Sequence, residues 1–207
     1  MSAKQLFGVV VACAIAVTGA TRFARADDKP IDDEGFIRVW LILAPIPLAE
    51  GQDPGESIDK EQIKDEAKLA PMDGDKAKAG DKELTWKKVT AEDYFFDVNK
   101  FLGSDTERSM AYAVTYVVAA DDIKDAVLKI GSDDGCKVYV NGKEVGKSAE
   151  DRAVDKDQDE FKNVALKKGV NVVVFKVVNN SGEWKGAARF FDKDGKPLTG
   201  LKAQLTK

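Results

Sequence analysis

The chain has 207 residues, 43% of them hydrophobic and 33% charged, with a formal net charge of −4 and no histidine. The missing histidine removes the commonest general base, the Ser-His-Asp and Cys-His nucleophile systems, and the usual zinc and copper ligands. The acidic balance and scattered basic residues disfavour nucleic acid and anionic membrane surfaces, both of which are bound by neutralising phosphates.

In chain order, Lys4 precedes an apolar run at residues 6–18 (LFGVVVACAIAVT), and Ala24-Arg25-Ala26 has a small-x-small cleavage pattern. This reads as a secretory signal peptide over residues 1–26, cleaved near Ala26. The run is too short for a spanning helix of about 20 residues. Val11-Ala12-Cys13 is a weak match to a lipid-attachment box, because the apolar run continues past Cys13. The expected product, residues 27–207, is a single exported domain, periplasmic or extracellular, with no membrane span. Only Cys136 survives cleavage, so no internal disulfide is expected. It alternates with Val138 and Val140 and reads as a small buried residue.

Residues 36–43 (FIRVWLIL) form a strand that should stop at the prolines of Ala44-Pro45-Ile46-Pro47. Residues 50–83 are nearly devoid of large apolar side chains and read as a long acidic, solvated loop. Within it SIDKEQIKDEAKLA (57–70) could form one weak surface helix, with Ile63, Ala67 and Ala70 on a thin apolar stripe. From residue 84 the pattern is β: strands at 84–89 and 94–98, then AYAVTYVVA (111–119) with Tyr112, Val114, Tyr116 and Val118 on one face. Ala126, Leu128 and Ile130 alternate next, followed by the Cys136 strand. Asn141-Gly142 is a type I′ hairpin signal. The run VNVVVFKVV (170–178) reads as a central strand covered on both faces, and strands at 187–192 and 201–205 flank an Asp194-Gly195 turn. Short strands with regular turns predict an all-β antiparallel sandwich, preferably a jelly roll. Trp40 and, less clearly, Trp86 belong to its core.

GSDDGCKVYVNGKEV (131–145) resembles the central hairpin of PA-fourteen and galactose-binding-like modules of secreted bacterial proteins. VALKKGVNVVVFKVVNNSGEWKGAARFFDKDGKPL (164–198) is similar to their ending, and WLILAPIP (40–47) and AYAVTYVVA fit their earlier strands. The resemblance implies a jelly-roll sandwich and, in many members, carbohydrate binding. In the lectins of this kind it also implies a calcium ion on the paired aspartates that in turn holds sugar hydroxyls.

On the residues alone, Asp133 and Asp134 have two readings. One is a hairpin corner, since exposed like charges about 4 Å apart cost only roughly 1 kcal/mol in water. The other is calcium, which needs about 6–8 oxygen ligands, so a second loop must contribute. Asn179-Asn180-Ser181 is the natural source, which makes Asp133, Asp134 and Asn180 the candidate metal ligands. Asp133, Asp134, Asn179, Asn180 and Trp184 form the candidate ligand site, with the Trp184 ring either stacking on a sugar or closing the core. Asp155-x-Asp157-x-Asp159 begins like an EF-hand, but Glu160 replaces the glycine and Leu166 the final glutamate. It reads as a solvated turn. No carboxylate pair is singled out for glycoside hydrolysis. The expectation is a non-catalytic, exported carbohydrate-binding module. The competing expectation is a structural or protein-interaction sandwich whose partner is another exported protein.

Overall fold

The computed structural model describes residues 29–207; the leader reading of residues 1–26, including Cys13, lies outside them. The fold is the antiparallel β-sandwich expected from the sequence, and every strand pair in it is antiparallel. After β1 (Lys29–Pro30) and β2 (Val39–Pro47) come α1 (Pro54–Ser57), β3 (Lys76–Ala79), β4 (Lys82–Thr85), β5 (Lys87–Thr90), β6 (Phe96–Asp97) and α2 (Val98–Leu102). The rest is β7 (Ser109–Ala119), β8 (Ile123–Asp133), β9 (Cys136–Val140), β10 (Lys143–Ser148), β11 (Asp159–Leu166), β12 (Gly169–Asn179), β13 (Lys185–Phe191) and β14 (Lys202–Gln204).

The first sheet runs β1-β14-β7-β12-β9-β10, with β2 beside β7 and β5 on the outer edge of β2. The second runs β11-β8-β13-β6. β7 and β12 pair over eleven residues, from Gly169↔Ala119 to Asn179↔Ser109, and form the centre of the first sheet. Period-two alternation gives each strand two faces. Phe175 of β12 and Trp40 of β2 point toward the second sheet and meet Phe96 of β6, with ring centroids 5.1 to 6.2 Å apart. Tyr112, Tyr116 and Lys176 point the other way.

That outer face is not in water. The 50–83 segment, expected to be a solvated loop, lies across it as a third layer. Tyr116 donates its hydroxyl to the Pro71 carbonyl (2.6 Å), and Ile58 and Ile63 are buried. The helix expected over 57–70 does not form as such. The short α1 is capped by Asp53 with Pro54 in its first turn, and Asp65 takes a left-handed φ of 58° ahead of a 3-10 turn at Glu66–Lys68. This bend turns Glu66 inward to meet Lys176.

Three strand expectations change. The first strand, expected over 36–43 and to stop at the prolines, instead runs Val39–Pro47: the register shifts between Leu43 and Ile46, and Ile46 and Pro47 still pair with Met110 and Ser109 at the end of β2. The 84–89 strand divides at buried Trp86 into β4 and β5. The 94–98 strand is only β6, because the Asp97 side chain caps α2 and Gly103 closes it at φ 72°. The Asn141-Gly142 turn is as expected, with φ of 52° and 80° and Val140 facing Lys143. Among the described residues no helix is long and apolar enough to cross a membrane.

Candidate functional site

β8 belongs to the second sheet and β9 to the first, so Asp133-Asp134-Gly135 is not the hairpin corner expected from the sequence. It is the crossover that carries the chain from one sheet to the other. The Asp133–Asp134 peptide is cis. The crossover is knitted to the end of β12: the Asp134 N–H donates to the Val178 carbonyl (2.9 Å), and the Val178 N–H to the Gly135 carbonyl (2.8 Å). Gly135 allows close approach here, since a Cβ would lie 2.6 Å from Ile58 Cδ1 and 3.1 Å from the Ser148 carbonyl.

A strap at residues 149–158, between β10 and β11, covers the carboxylates. A Cβ at Gly131 would lie 1.9 Å from the Asp155 carbonyl, so the strap rests directly on β8. The Arg152 main-chain N–H donates to Asp134 Oδ1 (3.0 Å) and the Asn180 N–H to Asp134 Oδ2 (2.7 Å). The Val154 main chain near the Asp133 carboxylate favours its charged form. The Arg152 guanidinium anchors the strap on Ser132 Oγ (3.0 Å) and on Asp159.

Asp133 and Asp134 are only 5% and 6% exposed. Burial, and next the Asp134 charge, push Asp133 up to about 6. Burial also raises Asp134, with the Asp151 carboxylate adding to it, while the N–H groups of Asn180 and Arg152 oppose the shift. Among the described residues neither carboxylate has an ion-pair partner. Lys185, the cation that Asp133 feels, is engaged by Glu183 at 2.5 Å. Burying a charge without a counterion is expensive, and adjacency compounds the cost.

The 179–184 turn does reach the crossover, but its side chains divide differently from the expectation. Asn180 contributes its main-chain N–H, while its side-chain Nδ2 donates to Asp151 Oδ2 (2.9 Å). Asn179, fully buried, donates Nδ2 to the Thr106 carbonyl (2.6 Å) and leaves Oδ1 without a hydrogen-bond partner. Asn179 lies between Val178 and Asn180, both bonded to Asp134. Asn179 Oδ1 is thus a buried amide oxygen without a partner, while Asn180 Oδ1, on a half-buried residue, accepts no hydrogen bond from the described residues either. Trp184 is 0% exposed, so its ring offers no face to a sugar; of its two readings, core closure is the one observed. A small cleft of about 140 Å³ opens beside Asp134, with carboxylates from Asp53, Glu150 and Asp151 and no lysine or arginine in its walls.

Among the described residues no group of three or more acidic or cysteine side chains converges to hold a metal. The EF-like aspartates are committed elsewhere, Asp157 to Arg189 and Asp159 to Arg152. Cys136 is buried, and burial pushes its thiol up to about 11, which makes it a packing residue.

The sequence reading missed the strap, since nothing in AEDRAVDKDQ marks it as a cover. It also missed a buried polar cluster around Lys176. A lysine inside a run covered on both faces was the available signal, because such a charge requires partners.

No family model matches the chain, and a comparison with curated proteins finds none similar to it. Among solved structures, the PA14 domain of the antifreeze protein MpAFP is similar over 89% of this chain and 98% of that one, at 13% identity and a TM-score of 0.43.

Proposed function

We propose that the chain is an exported, non-catalytic carbohydrate-binding module in which the sheet crossover holds a calcium ion. The supporting observation is the two adjacent, buried carboxylates lacking a counterion; the turn whose Asn180 N–H bonds Asp134 also carries an unpartnered buried oxygen, Asn179 Oδ1. Hard oxygen donors of this kind suit calcium. Asp133 and Asp134 would supply the carboxylate oxygens, with an amide oxygen from Asn180 or Asn179. The remaining oxygens of the shell would have to come from main-chain carbonyls, water and ligand hydroxyls. Bound there, calcium would neutralise the carboxylates and present open positions to sugar hydroxyls in the cleft beside Asp134. Export rests on the apolar N-terminal pattern with its Ala24-Arg25-Ala26 site.

A second reading has its own observation. Asp134 already accepts two main-chain N–H groups, from Arg152 and Asn180, which is what a purely structural crossover in a protein-interaction sandwich would need.

Thermal melts separate the two. A specific ion at 100 times its Kd stabilises by about 2.7 kcal/mol, which raises the melting temperature of a domain this size by about 5–10 °C. Calcium should produce this shift, magnesium should not, and Asp134→Asn should abolish it. A melt unmoved by calcium or by chelator removes the metal reading. A calcium-dependent melt without binding to any glycan in an array would turn the reading toward a protein partner.

A further inference from the structure

With Trp184 buried, the aromatic surface available to a ligand lies elsewhere on the same end of the second sheet. A cleft of about 470 Å³ runs between the end of β5, the 91–95 turn and α2. Its floor is apolar and half-buried: Val89, Ala91, Phe95 and Phe101. Its rim carries Lys88 and Lys100 against Glu92, Asp93 and Asp97, and Lys100 bonds Glu92 at 2.6 Å. Asp97 and Lys100 are also walls of a second cleft, about 660 Å³, that continues past Asn99 and Ser104 to Gly182 and Glu183. The two clefts thus adjoin at Asp97 and Lys100 and together form a groove along this edge that ends at the 179–184 turn.

Strand register ties this groove to the crossover. Asp97 pairs with Lys185, and Lys185 pairs with Asp133, so the three lie on one rung of the second sheet. Lys185 Nζ sits 4.7 Å from the Phe95 ring centroid and bonds Glu183. From Asp97 to Asp133 the rung spans two strand spacings, about 9–10 Å, more than one sugar ring covers. Pockets of a few hundred Å³ with an apolar floor and a few polar groups fit organic ligands. This groove combines aromatic rings with closely mixed acceptors and donors, which matches a molecule with apolar ring faces and a hydroxyl periphery. Carboxylates outnumber cations along it, which disfavours an anionic chain.

We infer that the groove is an extended subsite for a linear, uncharged oligosaccharide, in which sugar rings pack on Phe95 and Phe101 while the chain continues along Asp97 and Glu183 toward Asp133. The inference rests on the carbohydrate reading above and adds to it that the ligand is a chain rather than a single terminal sugar.

Titration calorimetry with disaccharides and hexasaccharides of the β-1,4-glucan, β-1,4-mannan and β-1,4-xylan series, in calcium, tests it, with hexagalacturonate as the anionic comparison. At least one neutral hexasaccharide should bind about tenfold more tightly than its disaccharide, and Phe95→Ala should remove that gain. Ser104→Trp, which fills the groove from an exposed position, should do the same without touching the core. Equal affinity for short and long chains, tighter binding of hexagalacturonate, or a length gain retained in both variants would overturn the subsite while leaving the calcium-site reading intact. Absence of binding by every saccharide would overturn both the subsite and the carbohydrate reading, while the calcium site stands or falls with the melts.

Discussion

Lys176 Nζ lies 3.0 Å from Glu66 Oε2, joining the middle of β12 to the segment that crosses the outer face of its sheet. Both are buried, and the pair is fully partnered. Lys176 also donates to the Ile58 and Lys60 carbonyls at 2.9 and 2.7 Å, while Glu66 accepts from the Tyr112 and Tyr139 hydroxyls. Burial pulls the Lys176 amine below its ordinary range, with the Glu66 carboxylate opposing, and pushes both phenols up. This cluster, together with the buried Ile58 and Ile63, joins the acidic 50–83 segment to the sandwich.

Breaking the pair on one side should therefore be costly. Lys176→Met leaves Glu66 buried without its cation, and a loss of about 3–5 kcal/mol is expected in urea unfolding. Glu66→Leu should cost a similar amount. The double variant should recover part of the loss, because it removes both charges. Additive losses in the double variant would show that the two residues act independently.

The Asp133 shift has a definite sign. An unfolded aspartate titrates near 3.9, whereas Asp133 in the fold titrates at about 6. Between these values the folded chain keeps a proton that the unfolded chain has lost. Stability from this group therefore falls as pH rises from about 4 to about 6 and is level above that. Asp134 is shifted in the same direction and adds to the effect. Asp133→Asn, which keeps the size of the side chain and removes its charge, should flatten this slope and be more stable than the parent near pH 7 without divalent cations. Calorimetric melts across pH 4–8 in chelator would read it.

The strap depends on a missing side chain. With a Cβ at Gly131 placed 1.9 Å from the Asp155 carbonyl, Gly131→Ala should lift residues 149–158 from β8. We expect a loss of about 1–3 kcal/mol, together with faster proteolysis within the strap than elsewhere. Cleavage unchanged from the parent would mean that the strap does not depend on the close approach at Gly131.

All three tryptophans, Trp40, Trp86 and Trp184, are at most 2% exposed. Their fluorescence should be blue-shifted and poorly quenched by iodide, and saccharides should leave it nearly unchanged. Quenching by a bound sugar would place Trp184 at the surface, against the structure. Trp184→Phe should lower the melting temperature without weakening a ligand held at the crossover.

Much of this fold was legible in the residues, for local reasons. Alternation at Tyr112, Val114 and Tyr116, the β-branched run of β12 and the left-handed Asn141-Gly142 turn are properties of neighbours in sequence, and each appears where its period or backbone requirement put it. The core position of Trp40 and the packing role of Cys136 follow from the same alternation. So does the exclusion of histidine-based chemistry, which needs only the composition.

What the tertiary structure decided involves residues far apart in the chain. Asp133-Asp134-Gly135 looks like a hairpin corner because two apolar runs flank it, but only pairing partners reveal that those runs lie in different sheets. The 57–70 stretch looks like a loose helix until Lys176, 110 residues beyond Glu66, draws that carboxylate inward. Where the two asparagine side chains are held depends on Thr106 and Asp151, and whether Trp184 faces water depends on how that turn packs against the sandwich. Local sequence sets backbone preference and periodicity; burial and counterions are set by whatever the fold brings alongside.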